Sequence, residues 1–106
     1  MDYSKLNGLV PAVIQDASTR EVLMVGFMNQ AALDKTIDTG FATFFSRTRN
    51  KLWTKGETSG NRLQVDRILV DCDDDTLLLR VNRLGDGNVC HTGERTCFFR
   101  ELAATT

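Results

Sequence analysis

The stretch LVPAVIQDASTREVLMVGF, residues 9–27, decides the fold. It holds two apolar runs, LVPAVI and EVLMVGF, on either side of the polar segment QDASTR. Apolar, β-branched runs of this length favour strands, and a short polar connection between two such runs favours an antiparallel hairpin. The sequence therefore predicts that the fold opens with two paired strands.

One helix is predicted directly after this hairpin. Asn29 can cap a helix over residues 30–37, and Gly40 stands where a left-handed C-terminal cap is expected. The predicted inner face of this helix comprises Ala32, Leu33, Thr36 and Ile37. Ala32 and Leu33 are the apolar members that would pack against the strands.

Further strands are predicted at residues 41–46, 63–70, 76–81 and 96–102, where aromatic, aliphatic and β-branched side chains dominate. The polar, basic segment at 47–61, with glycines at 56 and 60, is predicted to be a loop. The expected fold is a single strand-dominated α+β domain over residues 1–106. We expect a curled mixed sheet or an open, barrel-like sheet with one principal helix.

Composition excludes several classes of function. The chain has 106 residues, 42% of them hydrophobic and 25% charged, and its net charge is −1. Such a balance gives no electrostatic reason to expect nucleic acid or an anionic membrane as a partner. Because the N-terminus resembles no secretion signal and no apolar run is long enough to span a bilayer, we expect a cytoplasmic protein.

The segment DCDDD at 71–75 indicates metal chemistry. If it is extended, its period of two directs Asp71, Asp73 and Asp75 to one side and Cys72 to the other. A hard cation such as Mg²⁺ would relieve the repulsion among three converging carboxylates. The alternative is a solvated acidic turn.

The three cysteines, Cys72, Cys90 and Cys97, form the second candidate metal site. A catalytic zinc keeps three protein ligands and leaves one position for water, which suits this number. His91, the only histidine, is predicted to carry protons beside the metal. The alternatives are that the cysteines are small buried hydrophobic residues and that His91 is structural.

The basic loop is a candidate phosphate site. Its predicted donors are Arg47, Arg49, Lys51, Lys55, Thr58 and Ser59. Trp53, in the middle of the loop, could stack on a base or anchor the loop to the core. The alternative for the whole segment is a solvated basic surface.

These motifs occur in a recognisable order. They are SRxR at 46–49, LWxKGxTSG at 52–60, DCDxD at 71–75, CHTG at 90–93 and CF at 97–98. The sequence resembles phosphoribosyl-AMP cyclohydrolase over about residues 9–100. Arg83 stands where that family often has glutamine, Asn61 where it often has histidine, and the segment at 84–89 is slightly long.

The resemblance implies an enzyme of histidine biosynthesis that hydrolyses the N1–C6 bond of the adenine ring with zinc-activated water. It implies an intertwined cytoplasmic homodimer, with Mg²⁺ on Asp71, Asp73 and Asp75. It further implies zinc on Cys72, Cys90 and Cys97, shared between the two subunits. In length the chain resembles the stand-alone enzyme, without the pyrophosphohydrolase domain that is sometimes fused to it.

Two other functions stay open at this point. One is a small zinc-stabilised module that binds a phosphorylated ligand, in which the cysteines hold the fold. The other is a Mg²⁺-dependent phosphate-ester hydrolase built on the aspartates, in which the cysteines are incidental.

Overall fold

The computed structural model describes residues 1–105 and shows a strand-dominated α+β fold. In chain order the elements are β1 (Val10–Asp16), β2 (Val22–Met28), α1 (Gln30–Thr39), β3 (Thr43–Ser46), β4 (Lys51–Thr54), β5 (Leu63–Val70) and β6 (Leu77–Arg83). The predicted fold class and the predicted principal helix are confirmed.

Four of the strands form a mixed sheet in the order β2-β1-β6-β5. The predicted hairpin of β1 and β2 is antiparallel, β1 is parallel to β6, and β5 is antiparallel to β6. The sheet is open, and β3 and β4 form a separate antiparallel pair.

The core lies against one face of this sheet, as the alternating burial of its two central strands indicates. The inward side chains of these strands are Val10, Ala12 and Ile14 on β1 and Leu77, Leu79 and Val81 on β6. Phe44 of β3 is fully buried and packs over Gly26, where an added Cβ would meet the phenyl ring at 2.5 Å. Gly26 thus permits the second, smaller sheet to approach β2 closely.

Helix α1 has the predicted caps. The Asn29 side chain accepts a hydrogen bond from the Ala32 N–H at 2.8 Å, and Gly40 adopts φ 79°. The prediction that Ile37 faces the core is wrong, since this side chain is 64% exposed. Thr36, which was also predicted on this face, is buried, and its hydroxyl donates to the carbonyls of Ala32 and Thr43. Among the described residues, no helix has the length and apolar character needed to cross a membrane.

Two predictions of strands and loops are wrong. Residues 51–54, placed in a loop, form β4, because Leu52 and Trp53 pack against the core and bring this segment alongside β3. Residues 96–102, placed in a strand, form none. This segment meets β2 only locally, where the Cys97 N–H donates to the Leu23 carbonyl and the Thr96 hydroxyl contacts the same backbone.

The parallel pairing of β1 and β6 positions the functional region. The carboxyl ends of parallel neighbours meet at the same edge of a sheet, so Asp16 and Arg83, their last residues, lie side by side. The chain leaves this edge after Arg83 and continues through residues 84–97, which carry Cys90, His91 and Cys97.

Candidate active site

The acidic residues converge in a turn between β5 and β6. Asp71, Asp73 and Asp75 offer carboxylate oxygens that lie within 4.8 Å of one another. The strand-like alternation predicted for this segment is wrong, because Asp71 Oδ1 accepts hydrogen bonds from the N–H groups of Asp75 and Thr76 and closes a turn. The turn itself brings the carboxylates together, and this all-oxygen donor set fits a hard cation such as Mg²⁺.

Lys5 lies against this acidic turn, a contact that the sequence did not indicate. Its ammonium group is 2.6 Å from Asp75 Oδ2. The hydrogen bond from Lys5, followed by one that involves Asp71, lowers the pKa of Asp75 below its ordinary value. A lysine therefore already neutralises part of the negative charge.

Two of the three cysteines are neighbours. Cys90 is buried at the start of a tight turn in which the N–H groups of Val89 and Cys90 both donate to the Glu94 carbonyl. Cys97 is held against β2 by its hydrogen bond to Leu23. The two thiols are close enough that each changes the ionisation of the other.

Cys72 is not part of this pair. It is exposed in the acidic turn, with its sulfur 3.8 Å from an oxygen of Asp73. The prediction that Cys72 and the carboxylates lie on opposite sides of a strand is therefore wrong. Within residues 1–105, the three aspartates alone form a group of three or more potential metal-binding side chains with converging ligand atoms.

The environment of Cys90 favours its thiolate. The Thr92 hydroxyl donates to the Cys90 sulfur at 3.1 Å, and the hydrogen bonds from Thr92 lower the pKa of this thiol. Partial burial raises the pKa of Cys97, and the neighbouring Cys90 adds to that rise. The positive charge of Lys55 acts on both thiols in the direction of the thiolate.

A cavity of about 460 Å³ brings the basic loop and the cysteine turn together. The predicted site residues in its lining are Arg49, Trp53, Lys55, Thr58, Ser59, Cys90 and His91. The ring of Trp53 is also 5.1 Å from that of buried Phe44, so this residue anchors the loop while it lines the cavity. The side chains predicted to donate hydrogen bonds to phosphate thus share one concave surface with a thiol whose pKa is lowered.

Arg47 lies apart from this cavity. Its guanidinium group stacks over the ring of Phe27, 4.0 Å from the centroid, and it lines a different cavity together with Lys5. Its neighbours there include no cysteine and none of the other predicted phosphate donors.

Five polar residues in the cavity lining were not predicted as site residues. They are Thr54, Glu57, Asn61, Asp86 and Asn88, and the last three are joined by hydrogen bonds. The side-chain amide of Asn61 accepts from the Asp86 N–H at 3.1 Å and donates to the Asn88 carbonyl at 3.3 Å. For Asp86 and Asn88 the available signal was the turn sequence GDGN immediately before the Val89-Cys90-His91 segment.

A comparison with known protein families covers the residues of this site. The model of the phosphoribosyl-AMP cyclohydrolase family matches residues 24–99, more than two thirds of the chain. The chain belongs to the phosphoribosyl-AMP cyclohydrolase family. The match extends over the basic loop, the acidic turn and all three cysteines, so the whole candidate site lies within the part that defines this family of enzymes.

Individual relatives are similar over nearly all of the chain. The phosphoribosyl-AMP cyclohydrolase of Solibacter usitatus is 58% identical over 98% of this chain and 82% of its own length. The enzyme of the same name from Desulfatibacillum aliphaticivorans is 56% identical over 94% of this chain and 79% of its own length. The histidine biosynthesis bifunctional protein HisIE of Bacteroides thetaiotaomicron is 61% identical over 92% of this chain, which spans 47% of that relative.

Proposed function

We propose that this chain hydrolyses phosphoribosyl-AMP in histidine biosynthesis and opens the adenine ring between N1 and C6. The observation that carries the proposal is the cavity in which the basic loop meets Cys90 and His91. Membership of the phosphoribosyl-AMP cyclohydrolase family supplies the substrate class. A cytoplasmic location, expected from the sequence, stays a prediction.

The basic loop is suited to a phosphorylated substrate. Arg49 and Lys55 offer positive charge, and Thr58 and Ser59 offer hydroxyl donors on the same side of the cavity. Charge-assisted hydrogen bonds of this kind are among the strongest available to a phosphate group. The cavity-facing part of Trp53 offers an aromatic surface for the purine or ribose.

The cysteines fit zinc through the chemistry of their donor atoms. Two thiols lie side by side, and Thr92 and Lys55 favour the ionised form of Cys90 that binds metal. Cys90, Cys97 and Cys72 would hold the ion, with one position left for a water molecule. Zinc would lower the pKa of that water, so that hydroxide is available at neutral pH.

The third thiol is the reason to propose a homodimer. Cys72 lies away from the other two cysteines in one chain, so a second copy is the natural source of the missing ligand. Exposed apolar side chains flank both halves of the proposed site: Leu69 and Val70 precede Cys72, and Phe98 and Phe99 follow Cys97. Association of two copies would remove these side chains from water.

His91 is the proposed proton carrier. Ribosylation at N1 leaves C6 of the adenine ring electron-poor, so water adds at C6 and the N1–C6 bond then breaks. A proton must leave the attacking water and another must reach N1. His91 lines the cavity beside Cys90, and a histidine side chain can both accept and donate a proton.

The acidic turn is the proposed Mg²⁺ site. Asp71, Asp73 and Asp75 would hold the ion, which usually keeps several waters or phosphate oxygens among its ligands. The two phosphates of the substrate give such an ion a role in binding.

The direct test is to incubate the purified protein with phosphoribosyl-AMP and to follow opening of the ring by its ultraviolet spectrum. We expect turnover by the wild type. Lys55→Gln should lower kcat/KM by about tenfold or more, because a charged phosphate contact is lost. Lys51→Gln is the matched control, because Lys51 is exposed and does not line the cavity. Binding of the nucleotide without turnover would favour the binding module instead.

A further inference from the structure

The loop at residues 84–89 separates two cavities and leads directly into Cys90. One of its faces contributes Asp86 and Asn88 to the candidate active site. The same two residues also line a second cavity of about 420 Å³, whose other walls include Asp16, Arg83 and Arg95. The position of this loop therefore determines where Cys90 and His91 stand.

A buried ion pair holds the loop from the side of the second cavity. Arg83 Nε donates to Asp16 Oδ2 at 2.9 Å, and the side chains are only 17% and 8% exposed. Arg83 Nη1 donates at the same time to the Gly87 carbonyl at 3.0 Å. The other oxygen of Asp16 accepts the N–H groups of Ser18 and Thr19, each at 2.8 Å, which fixes the carboxylate in turn.

The two residues of this pair continue the inward faces of their strands. Every second residue of β1 is buried, and Asp16 is the next such position after Val10, Ala12 and Ile14. Arg83 is likewise the next inward position of β6 after Leu77, Leu79 and Val81. Charged residues are uncommon at such core-facing positions. What the guanidinium adds is a link between the rigid sheet edge and a loop carbonyl three residues before Cys90.

Asn61 holds the same loop from the opposite side. Its amide contacts the Asp86 N–H and the Asn88 carbonyl, and Gly85, at φ 67°, lies so close to Asn61 Oδ1 that a side chain at this position would collide with it. Cys97 has an independent attachment through Leu23 on β2. Cys90 can therefore shift relative to Cys97 if the loop is released.

We infer that Asp16 and Arg83 are positioning residues of the active site, which hold the 84–89 loop so that Cys90 and His91 face the basic loop across the cavity. This inference rests on the proposed function for its catalytic consequence. The fork of the guanidinium is the essential feature, because one group reaches a carboxylate and a carbonyl together. Glutamine removes the charge and the fork, whereas lysine keeps only the charge.

The experiment measures the position of Cys90 without relying on turnover. Each cysteine falls in its own tryptic peptide, so the rates of alkylation of Cys72, Cys90 and Cys97 can be followed separately by mass spectrometry in metal-free protein. Arg83→Gln should increase the rate at buried Cys90 several-fold relative to Cys72, and amide exchange should accelerate more at residues 84–94 than in β1 or β6. Arg80→Gln, an equal charge change on the same strand whose contact is with Gln15, should leave both measurements as in the wild type.

In the turnover assay, Arg83→Gln should lower kcat more than it raises KM, because the phosphate donors stay in place, and Arg83→Lys should recover part of the loss. Unchanged Cys90 alkylation and unchanged exchange at residues 84–94 would overturn the inference. Equal acceleration of exchange in every strand would also overturn it, since the pair would then serve the fold and not the loop. If the wild type has no cyclohydrolase activity, the proposed function fails, while alkylation and exchange still decide whether Arg83 holds the loop.

Discussion

Asp16 is a charged residue at a core-facing position, and its charge is retained because every contact favours it. Burial alone would raise its pKa. The N–H groups of Thr19 and Ser18 and the guanidinium of Arg83 oppose that effect and lower the pKa below the ordinary value of an aspartate. The carboxylate therefore stays ionised over the whole physiological range.

The lowered pKa predicts how stability depends on pH. A carboxyl group with a lower pKa in the folded state stabilises the fold above its unfolded pKa of about 4, and this contribution disappears as the pH falls through the folded pKa. Asp16→Asn should reduce the free energy of unfolding at pH 7 by about 2 kcal/mol, because Arg83 loses its charged partner. The difference in unfolding free energy between the wild type and Asp16→Asn should narrow below pH 4, where the Asp16 carboxylate of the wild type becomes protonated.

Urea unfolding at a fixed protein concentration, from pH 7 down to pH 3, measures this difference. A gap between wild type and Asp16→Asn that stays constant down to pH 3 would show that the charge of Asp16 contributes nothing. Asp38→Asn is a suitable control, because Asp38 is exposed on α1.

At the scale of elements, the acidic turn between β5 and β6 is attached to the N-terminal segment. Besides the contact of Lys5 with Asp75, the Asp2 N–H donates to the Asp74 carbonyl at 2.6 Å. Lys5 and a divalent cation would therefore compete for the same carboxylate, and the turn should bind Mg²⁺ more weakly than three free aspartates would.

This competition predicts opposite effects for two substitutions. Asp75→Asn should weaken Mg²⁺ binding by about tenfold, because the amide oxygen can coordinate but carries no charge. Lys5→Gln should strengthen it, because it removes the competing ammonium group. Calorimetric titration with Mg²⁺ and the rate as a function of Mg²⁺ measure both effects.

Zinc content is measured in parallel to separate the two proposed metal sites. Both variants should keep their zinc, because neither changes a thiol. Wild-type Mg²⁺ dependence in Asp75→Asn would show that the aspartates form only a solvated turn. Loss of zinc in the same variant would show that the two sites are not independent.

At the scale of the whole molecule, the separation of Cys72 from the Cys90 and Cys97 pair makes complementation a sharp test of the dimer. Cys72→Ala and Cys97→Ala should each lose zinc and activity on their own, because each removes one of three ligands. After the two inactive chains exchange subunits, half of the dimers should be mixed. Each mixed dimer would have one intact site, so activity should recover to about one quarter of the wild-type value.

Mixing Cys90→Ala with Cys97→Ala is the matched control. In the proposed site, Cys90 and Cys97 come from one chain and Cys72 comes from the other. Each site of a mixed dimer would therefore lack either Cys90 or Cys97, and no activity should return. Equal recovery of activity in the two mixtures would contradict the shared site. So would a lack of recovery in the mixture of Cys72→Ala and Cys97→Ala after subunit exchange has been verified.

The sequence by itself determined most of the local elements and marked the residues of the candidate site. Alternating apolar residues, together with Asn29 and Gly40, were enough to predict the first hairpin, the helix and the strands near β5 and β6. The motif residues likewise marked the basic loop, the acidic turn and the cysteines. These features depend on spacing of a few residues, which the chain itself displays.

Only the tertiary structure decided which of these pieces meet. The parallel pairing of β1 with β6 joins residues far apart in the chain, and it places Asp16 beside Arg83. Strand β4 forms because Trp53 packs on Phe44, and residues 96–102 form no strand because they contact β2 through only a few groups. Such outcomes depend on long-range packing and on hydrogen bonds between distant segments, for which a local pattern of residue types carries no signal.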